Sequence, residues 1–502
     1  MHFLPLSFVL SCATLASASA LAHQAEPAAA TRQVLTVDRY ADDDAPGSLR
    51  WAIQTANQAP NTYRIEIAAV GSAPYVIKPS TALPEIKGPV AIVGLPRATS
   101  GDYIAIDGSG YVTGSGVQAC PGAVKGQYGT NVRTTTLPGL VLRDTQGVEL
   151  TGLEVRNFCI GILVNRSSGS EIHDNRIVGN KGGAGVMLTG DDGTGQSTPT
   201  TTLHNRVVRN EFLDNGDGLE LTRGAAWNLV ADNLFRSTEA NPEPSQGIEI
   251  LWGNDNTVLR NRFENYSDGL QINWGNRNTI AANTFTGNSN ALSISGGGNV
   301  VDGNTITGNG IGIAVRPQAV SMPNRFSANA LSGNGLKIER CEAGGACVQG
   351  QRRAAIVFGV PGLEHAIFVG SRGTGVESDP AKLLRICATG VDAPCQAPPN
   401  QGVAAPVLAT PTRQRDAVVV QGRAQGAPGT RLRVEIFGNT QADGAEAERF
   451  LGFAEATADA QGQASFRHAL TALAGIATLT ATVTNVHGAT SELSAPVLLP
   501  KR

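Results

Sequence analysis

The sequence predicts an all-β chain organised around a right-handed parallel β-helix, and three observations predict it. One short phrase recurs seven times between Cys159 and Pro317: Gly161-Ile162-Leu163-Val164, Gly185-Val186-Met187-Leu188, Gly218-Leu219-Glu220-Leu221, Gly247-Ile248-Glu249-Ile250, Gly269-Leu270-Gln271-Ile272, Ala291-Leu292-Ser293-Ile294 and Gly312-Ile313-Ala314-Val315, with first residues 21 to 33 positions apart. A period near 22 with strand-like alternation marks a solenoid of β-strands. A column of asparagines, Asn175, Asn210, Asn233, Asn261, Asn283, Asn304 and Asn329, runs in phase with the phrase. Asn tolerates left-handed backbone and its stacked amides can hydrogen-bond, so the column reads as a bend between two sheets. Composition agrees: 60 glycines, 5% aromatic and 16% charged residues suit a turn-rich β-fold and exclude long helices or disorder.

At the N-terminus, Phe3 to Leu15 form an apolar run and Ala20-Leu21-Ala22 fits a cleavage site, so residues 1–22 are expected to be a secretory signal, although no Lys or Arg precedes Arg32. No later segment is long or apolar enough to span a membrane. The expected location is the periplasm, with a lipoprotein anchored at Cys12 or a secreted protein as alternatives. Cleavage leaves six cysteines, Cys120, Cys159, Cys341, Cys347, Cys387 and Cys395. An even count in an exported chain suggests disulfides; the short loops favour Cys341 with Cys347 and Cys387 with Cys395, which leaves Cys120 with Cys159.

A first strand is expected at Val34 to Val37. Ser48 to Asn57 then reads as a helix with Ser48 as N-cap and Leu49, Ala52, Ile53 and Ala56 on one face, placed to cover the open end of the coil stack. Less regular strands follow at Ile65 to Ile67, Val90 to Val93, Ile104 to Ile106, Leu140 to Leu142 and Val148 to Leu150. The loop from Gly108 to Gly139 is long enough to suggest a function. Two insertions, Gly190 to Thr202 and Ser237 to Ser245, flank the same strands and are expected to wall a groove. The β-helix unit spans 34–400, ending in the cysteine-containing segment. Alternating strands at Val418 to Val420, Leu432 to Phe437 and Leu479 to Val483 give 404–502 the profile of an immunoglobulin-like β-sandwich, an accessory module without catalysis.

Alternation places Ile162, Val186, Leu219, Ile248, Leu270, Leu292 and Ile313 inward, so the residues between and beside them are expected to face solvent. Read across coils, that face carries Asp217, Gln246 and Asp268 in one column, and Glu220, Glu249 and Gln271 in the next. A third column holds Asn165, Thr189, Thr222, Leu251 and Asn273, and Arg166, Arg223, Trp252 and Trp274 lie near the corner. Glu220 and Glu249 should lie roughly 5 Å apart, close enough for like charge to raise the pKa of one. A carboxylate pair so split suits proton abstraction at one atom and protonation of a leaving group at another; the bland reading is a ladder of solvated acids balanced by Arg223 and Arg260. Exposed Trp252 and Trp274 favour the functional reading. Arg166 and Arg223 are candidates to fork onto a substrate carboxylate or to pair with a neighbouring Asp. Asp191 and Asp192 are the candidates for a divalent cation, with no spacing pattern behind them, and no other cofactor is indicated. His173 and His204 read as structural. A net charge of -3 gives no reason to expect nucleic acid as partner. The residues alone reach an exported β-helix with an acid, Arg and Trp groove for an anionic ligand, and leave oligomeric state open.

Longer phrases carry a resemblance. Cys120-Pro121-Gly122-Ala123, Gly126 to Thr134, Gly185 to Gly193, Asp214 to Ala226 and Asn241 to Asn254 resemble the periplasmic 3-dehydroshikimate dehydratases of bacterial quinate and shikimate catabolism, over about Val34 to Asn400. The resemblance implies a hydro-lyase that takes a small anionic substrate to protocatechuate, and carries no assigned catalytic residues. Set against that reaction, the residues nominated are Glu220, Glu249 and Asp217 for acid and base, and Arg223, Arg166, Trp252, Trp274, Gln271 and Asp268 for the substrate. Two alternatives remain: a lyase or epimerase of uronate polysaccharide, for which Lys is scarce on these coils, and a non-catalytic carbohydrate-binding or adhesive protein.

Overall fold

The computed structural model describes residues 32–96, 102–112, 120, 137–181, 183–191, 199–241, 244–315, 322–334 and 399–500, with the backbone of three short strands, Arg340–Cys341, Cys347–Val348 and Ile367–Val369. The phrase and the asparagine column fold as the coils of a parallel β-helix with three sheets. The first sheet stacks eleven strands from Gln33–Val37 to Arg325–Ser327. The second stacks ten, from Tyr75–Ile77 to Ala330–Ser332, and the third nine, from Pro138–Arg143 to Ile367–Val369. Each of the seven phrases is a strand of the third sheet, paired one coil to the next in register, as with Leu219 on Ile248 and Ile248 on Leu270.

Inside the coils, Phe212, Phe235, Phe263 and Phe285 stack with ring centroids 4.4, 5.0 and 4.6 Å apart, fully buried. This stack explains the Gly that begins three phrases. A Cβ at Gly218, Gly247 or Gly269 would meet the ring of Phe235, Phe263 or Phe285 at 2.6–2.7 Å. The following coil has Ile306 in place of Phe and starts its phrase with Ala291.

The asparagines are structural, with one correction to their expected geometry. Their side chains point inward and are almost fully buried, and the left-handed residue at each bend is the one before the Asn: Asp174, Arg209, Asp232, Arg260, Ala282 and Ala328 have φ of 50–59°. From Asn210 onward, each Asn Oδ1 accepts from the backbone N–H and Nδ2 of the Asn one coil earlier, and its Nδ2 donates to a carbonyl of that coil; Asn175, first in the column, accepts from Leu153 N. For Asn261 these are Asn233 N at 3.0 Å, Asn233 Nδ2 at 2.9 Å and Val230 O at 2.8 Å. Buried polar groups must be paired, and the ladder pairs them at a bend where no strand can. Two further ladders lie five residues to either side: Asn205, Asn228, Asn256, Asn278, Asn299 and Asn324 before it, and Asn180 to Asn215 and Asn288 to Asn309 after it.

Both ends of the stack are covered. Helix Leu49–Gln58 is capped by Ser48, whose side chain accepts from Trp51 N, and buries Leu49, Ala52, Ile53 and Ala56 against the first coil. At the other end two four-stranded antiparallel sheets form a sandwich: Val407–Leu408, Ala417–Gln425, Thr412–Gln414 and Gln463–Leu470 in one, Arg449–Thr457, Arg431–Asn439, Thr478–Thr484 and Val497–Leu498 in the other. They share a core that includes Val420, Phe466, Val434, Ile436 and Leu479. The sandwich completes the last coil: Glu435 accepts from Ser327 Oγ at 2.7 Å and Ala328 N at 2.8 Å, Ala447 pairs with Leu331, and Asn400 Oδ1 accepts from Asn324 N at 2.6 Å. An open parallel edge invites pairing with another chain, and these contacts occupy it.

Cys120 and Cys159 are joined in a disulfide. Cys341 and Cys347 lie opposite one another on paired antiparallel strands. Cys387, Cys395, Cys12, the signal region and most of the Gly108 to Gly139 loop lie outside the described residues. Among the described residues no helix is long and apolar enough to cross a membrane.

Candidate active site

The third sheet positions the site. Its outer central column runs Val141, Leu163, Met187, Glu220, Glu249, Gln271, Ser293 and Ala314, each in register with the next. The neighbouring column runs Ile160, Ala184, Asp217, Gln246, Asp268, Asn290 and Ile311. Polar side chains therefore occupy four successive coils, about 15 Å of stack at the usual strand spacing. Apolar residues bound them: Ile160, Leu163, Ala184 and Met187, buried together in their own cluster, on one side, and Ile311 and Ala314 on the other.

The expectation that this face is solvated fails at its centre. Glu220 is 8% exposed, Gln271 6% and Asp268 0%. Met187 covers Glu220 from the preceding coil, while Gln271 and Asp268 hydrogen-bond to one another and to side chains on their own and the next coil. Asp217, Glu220 and Glu249 converge, each offering a carboxylate oxygen within 4.8 Å of the others. Burial, then the charges of Asp217 and Glu249, then a hydrogen bond with Asp217 push the Glu220 carboxyl well above the usual carboxylate range. This environment favours the protonated form of Glu220 over the carboxylate. Gln246 N donates to Asp217 Oδ1 at 3.0 Å, and Asn273 Nδ2 donates to Glu249 Oε1 at 2.8 Å.

At the corner, Trp252 and Trp274 stack with centroids 4.8 Å apart and 16° between planes, and the Arg223 guanidinium lies 4.1 Å from the Trp252 centroid. Arg223 also sits 3.6 Å from Asp191. Both Trp residues are half-buried in left-handed backbone, with φ of 59° and 56°. Arg166 takes the same left-handed backbone at the equivalent corner of an earlier coil, with φ of 48°, so this conformation belongs to the repeat. Arg166 is placed differently: it forks onto Asp144 through Nε and Nη2, both at 2.7 Å, two coils before Glu220 and away from the acids. His173 lies between Asp174 and Glu149 on the first sheet, and His204 stacks on the exposed Trp227.

Among the described residues, the acidic oxygens that could hold a cation are those of Asp217, Glu220 and Glu249. Asp191 faces Arg223, and Asp192 lies outside the described residues. Gln246, Asn273 and Asn290 are site residues that sequence reasoning did not nominate; their places in the repeat were legible, their partners were not.

Residues 223–344 match the family model described as periplasmic copper-binding protein (NosD), and residues 111–263 the model described as right handed beta helix region, which agrees with the handedness expected. Segment 223–344 contains no His, one Met and one Cys, so it lacks the soft donor set that copper favours. A curated 3-dehydroshikimate dehydratase of Acinetobacter baylyi is 56% identical over 470 residues, 93% of this chain and 95% of that one. The chain belongs to the 3-dehydroshikimate dehydratase family. In this dehydratase the phrases that carry the resemblance include both acid-bearing strands, Asp217–Leu221 and Gln246–Leu251. Two solved structures share low similarity: the periplasmic alginate epimerase AlgG double mutant, 14% identical over 54% of this chain and 60% of that one with a TM-score of 0.32, and the Dettilon tailspike protein, 13% identical over 87% and 93% with 0.35. At these scores neither bears on function.

Proposed function

We propose that this enzyme dehydrates 3-dehydroshikimate to protocatechuate at the Asp217, Glu220 and Glu249 cluster, in the periplasm and as a step of quinate and shikimate catabolism. The observation that carries the chemistry is Glu220, buried within 4.8 Å of two other carboxyls in a setting that favours its protonated form. The C3 ketone acidifies the C4 hydrogen. Glu249, the more accessible partner, takes that proton, and the electron pair passes into a C3–C4 enolate. The C3 carbonyl then re-forms as a C4–C5 double bond develops, and Glu220 gives its proton to the departing C5 hydroxyl, which leaves as water. A C6 proton moves to the C3 oxygen and completes the aromatic ring. The proton that Glu249 took from C4 then passes to the adjacent Glu220, whose carboxylate oxygen lies within 4.8 Å, and both groups return to their starting forms; Asp217, hydrogen-bonded to Glu220, holds it in place.

Arg223 is the group for the substrate carboxylate, since its guanidinium is held face-on by Trp252 and pre-oriented for a forked ion pair. The Trp252 and Trp274 stack offers a flat apolar wall to the ring. The polar face extends over four coils and ends in buried apolar side chains, which suits a small anion better than an extended uronate polymer. Export is supported by the Cys120–Cys159 disulfide.

The three carboxylates also form an all-oxygen donor set that suits Mg2+ or Mn2+. A cation there would stabilise negative charge on an enolate oxygen. The test is ultraviolet absorbance of purified protein with 3-dehydroshikimate, with and without chelator. Protocatechuate formed in chelator supports the carboxyl and Arg chemistry; turnover lost and restored by a divalent ion assigns enolate stabilisation to a metal. No product under either condition overturns the reading.

A further inference from the structure

Asp268 was nominated from the sequence as a substrate ligand, and its position argues against that use. It is 0% exposed, and both carboxylate oxygens receive amide donors: Gln271 Nε2 on Oδ2 at 2.8 Å and Asn290 Nδ2 on Oδ1 at 2.6 Å. An amide has one donating and one accepting end, so this contact fixes which way Gln271 points. With Nε2 on Asp268, Oε1 of Gln271 faces the other way and accepts from Asn273 Nδ2 at 2.6 Å, and from Gln246 Nε2 at 3.4 Å. Asn273 is thereby oriented in turn, and the second hydrogen of its Nδ2 reaches Glu249 Oε1 at 2.8 Å. Four residues on two adjacent coils form a chain of hydrogen bonds with a single direction, beginning at an acceptor-only carboxylate and ending in a donor on the carboxylate that faces the substrate.

We propose that Asp268 is a positioning residue which, through Gln271 and Asn273, sets the orientation of the Glu249 carboxylate for proton abstraction. The inference rests on the reading of Glu249 as base. The polarity of the chain is its mechanism. An amide at position 268 leaves one accepting oxygen for two donors, Gln271 and Asn290; where that oxygen serves Asn290, Gln271 meets an N–H, and relieving the clash by flipping Gln271 presents its N–H to the Nδ2 of Asn273. Asn273 can then satisfy Gln271 only by flipping itself, which turns its carbonyl oxygen toward Glu249 and replaces an attraction by a repulsion.

The test uses the full-length enzyme and the protocatechuate assay. Asp268→Asn, nearly isosteric, should lower kcat on the order of a hundredfold, the usual consequence of a misplaced reacting group, while KM changes little. Losing the amide that favours the ionised base should also move the acid limb of the kcat/KM profile to higher pH. Asn273→Ala, at a partly exposed position, should do the same, and the double variant should be no worse than either single one, because both cut the same chain. Near-UV circular dichroism checks that each variant is folded; if Asp268→Asn is not, Asn273→Ala and Gln271→Met decide by the same readouts. Unchanged kcat and acid limb, or effects that add in the double variant, overturn the relay while leaving the dehydratase reading intact, provided Glu249→Gln is inactive. Turnover retained in Glu249→Gln overturns the base assignment and the relay with it.

Discussion

Replacing Glu220 by Gln removes one proton and almost no volume, which makes it a sharp test of the acid role. The side chain is 8% exposed and bonded to Asp217, with Glu249 directly opposite on the next coil. Gln keeps the shape and can still hydrogen-bond to Asp217, so the fold should hold; it cannot release a proton to a leaving hydroxyl. General acid catalysis contributes roughly 10²–10⁴-fold, about 3–5 kcal/mol of barrier, so kcat should fall by that factor with the substrate still bound. The pH dependence adds a second readout. Because the folded Glu220 titrates above its unfolded value, the stability it contributes is fully present below the unfolded pKa near 4.5 and is lost as pH rises through the raised, folded value. Wild-type activity should fall over the same upper range as the acid deprotonates. Glu220→Gln should lack that alkaline limb and resist alkaline unfolding better than wild type, read by thermal melts across pH 5 to 9 and initial rates. A variant that keeps more than about a tenth of kcat, or retains the alkaline limb, would refute the assignment of Glu220 as acid.

Two further outcomes are expected. Arg223→Gln should raise KM roughly 10- to 100-fold, the equivalent of a lost charge-assisted hydrogen bond pair, with kcat much less affected, in steady-state kinetics; an unchanged KM places the substrate carboxylate elsewhere. Asn261→Ala should destabilise by about 3 kcal/mol, since it leaves the N–H and Nδ2 of Asn233 and the Val230 carbonyl without their partner in a buried bend, measured by urea unfolding; a change under 1 kcal/mol would mean the ladder is dispensable.

Much of the site was legible because a β-helix turns sequence period into adjacency. Once the phrase is aligned, residues in the same place on successive coils must lie one strand spacing apart, and Glu220 beside Glu249 follows without coordinates. The same logic located the Arg223, Trp252 and Trp274 corner, while Ser48 as N-cap followed from helical spacing. The two additional asparagine ladders, five residues to either side of the first, carry the same period and are as legible in the sequence. What periodicity cannot supply is direction and environment. Arg166 and Arg223 occupy equivalent corners, yet one forks onto Asp144 and the other stacks on Trp252, since each long side chain follows whichever partner its neighbouring coils present.

The sequence by itself therefore determined the solenoid, its columns and the pairing of the acids, because all three are consequences of a repeat stacked at a constant rise. Only the tertiary structure decided that Glu220 is buried beside two carboxyls while Glu249 is held by Asn273, and that Asp268 is buried with an amide donor on each oxygen. Those properties depend on desolvation and hydrogen-bond direction, which arise from contacts between coils and from what covers the sheet, and no residue's own position in the repeat encodes them.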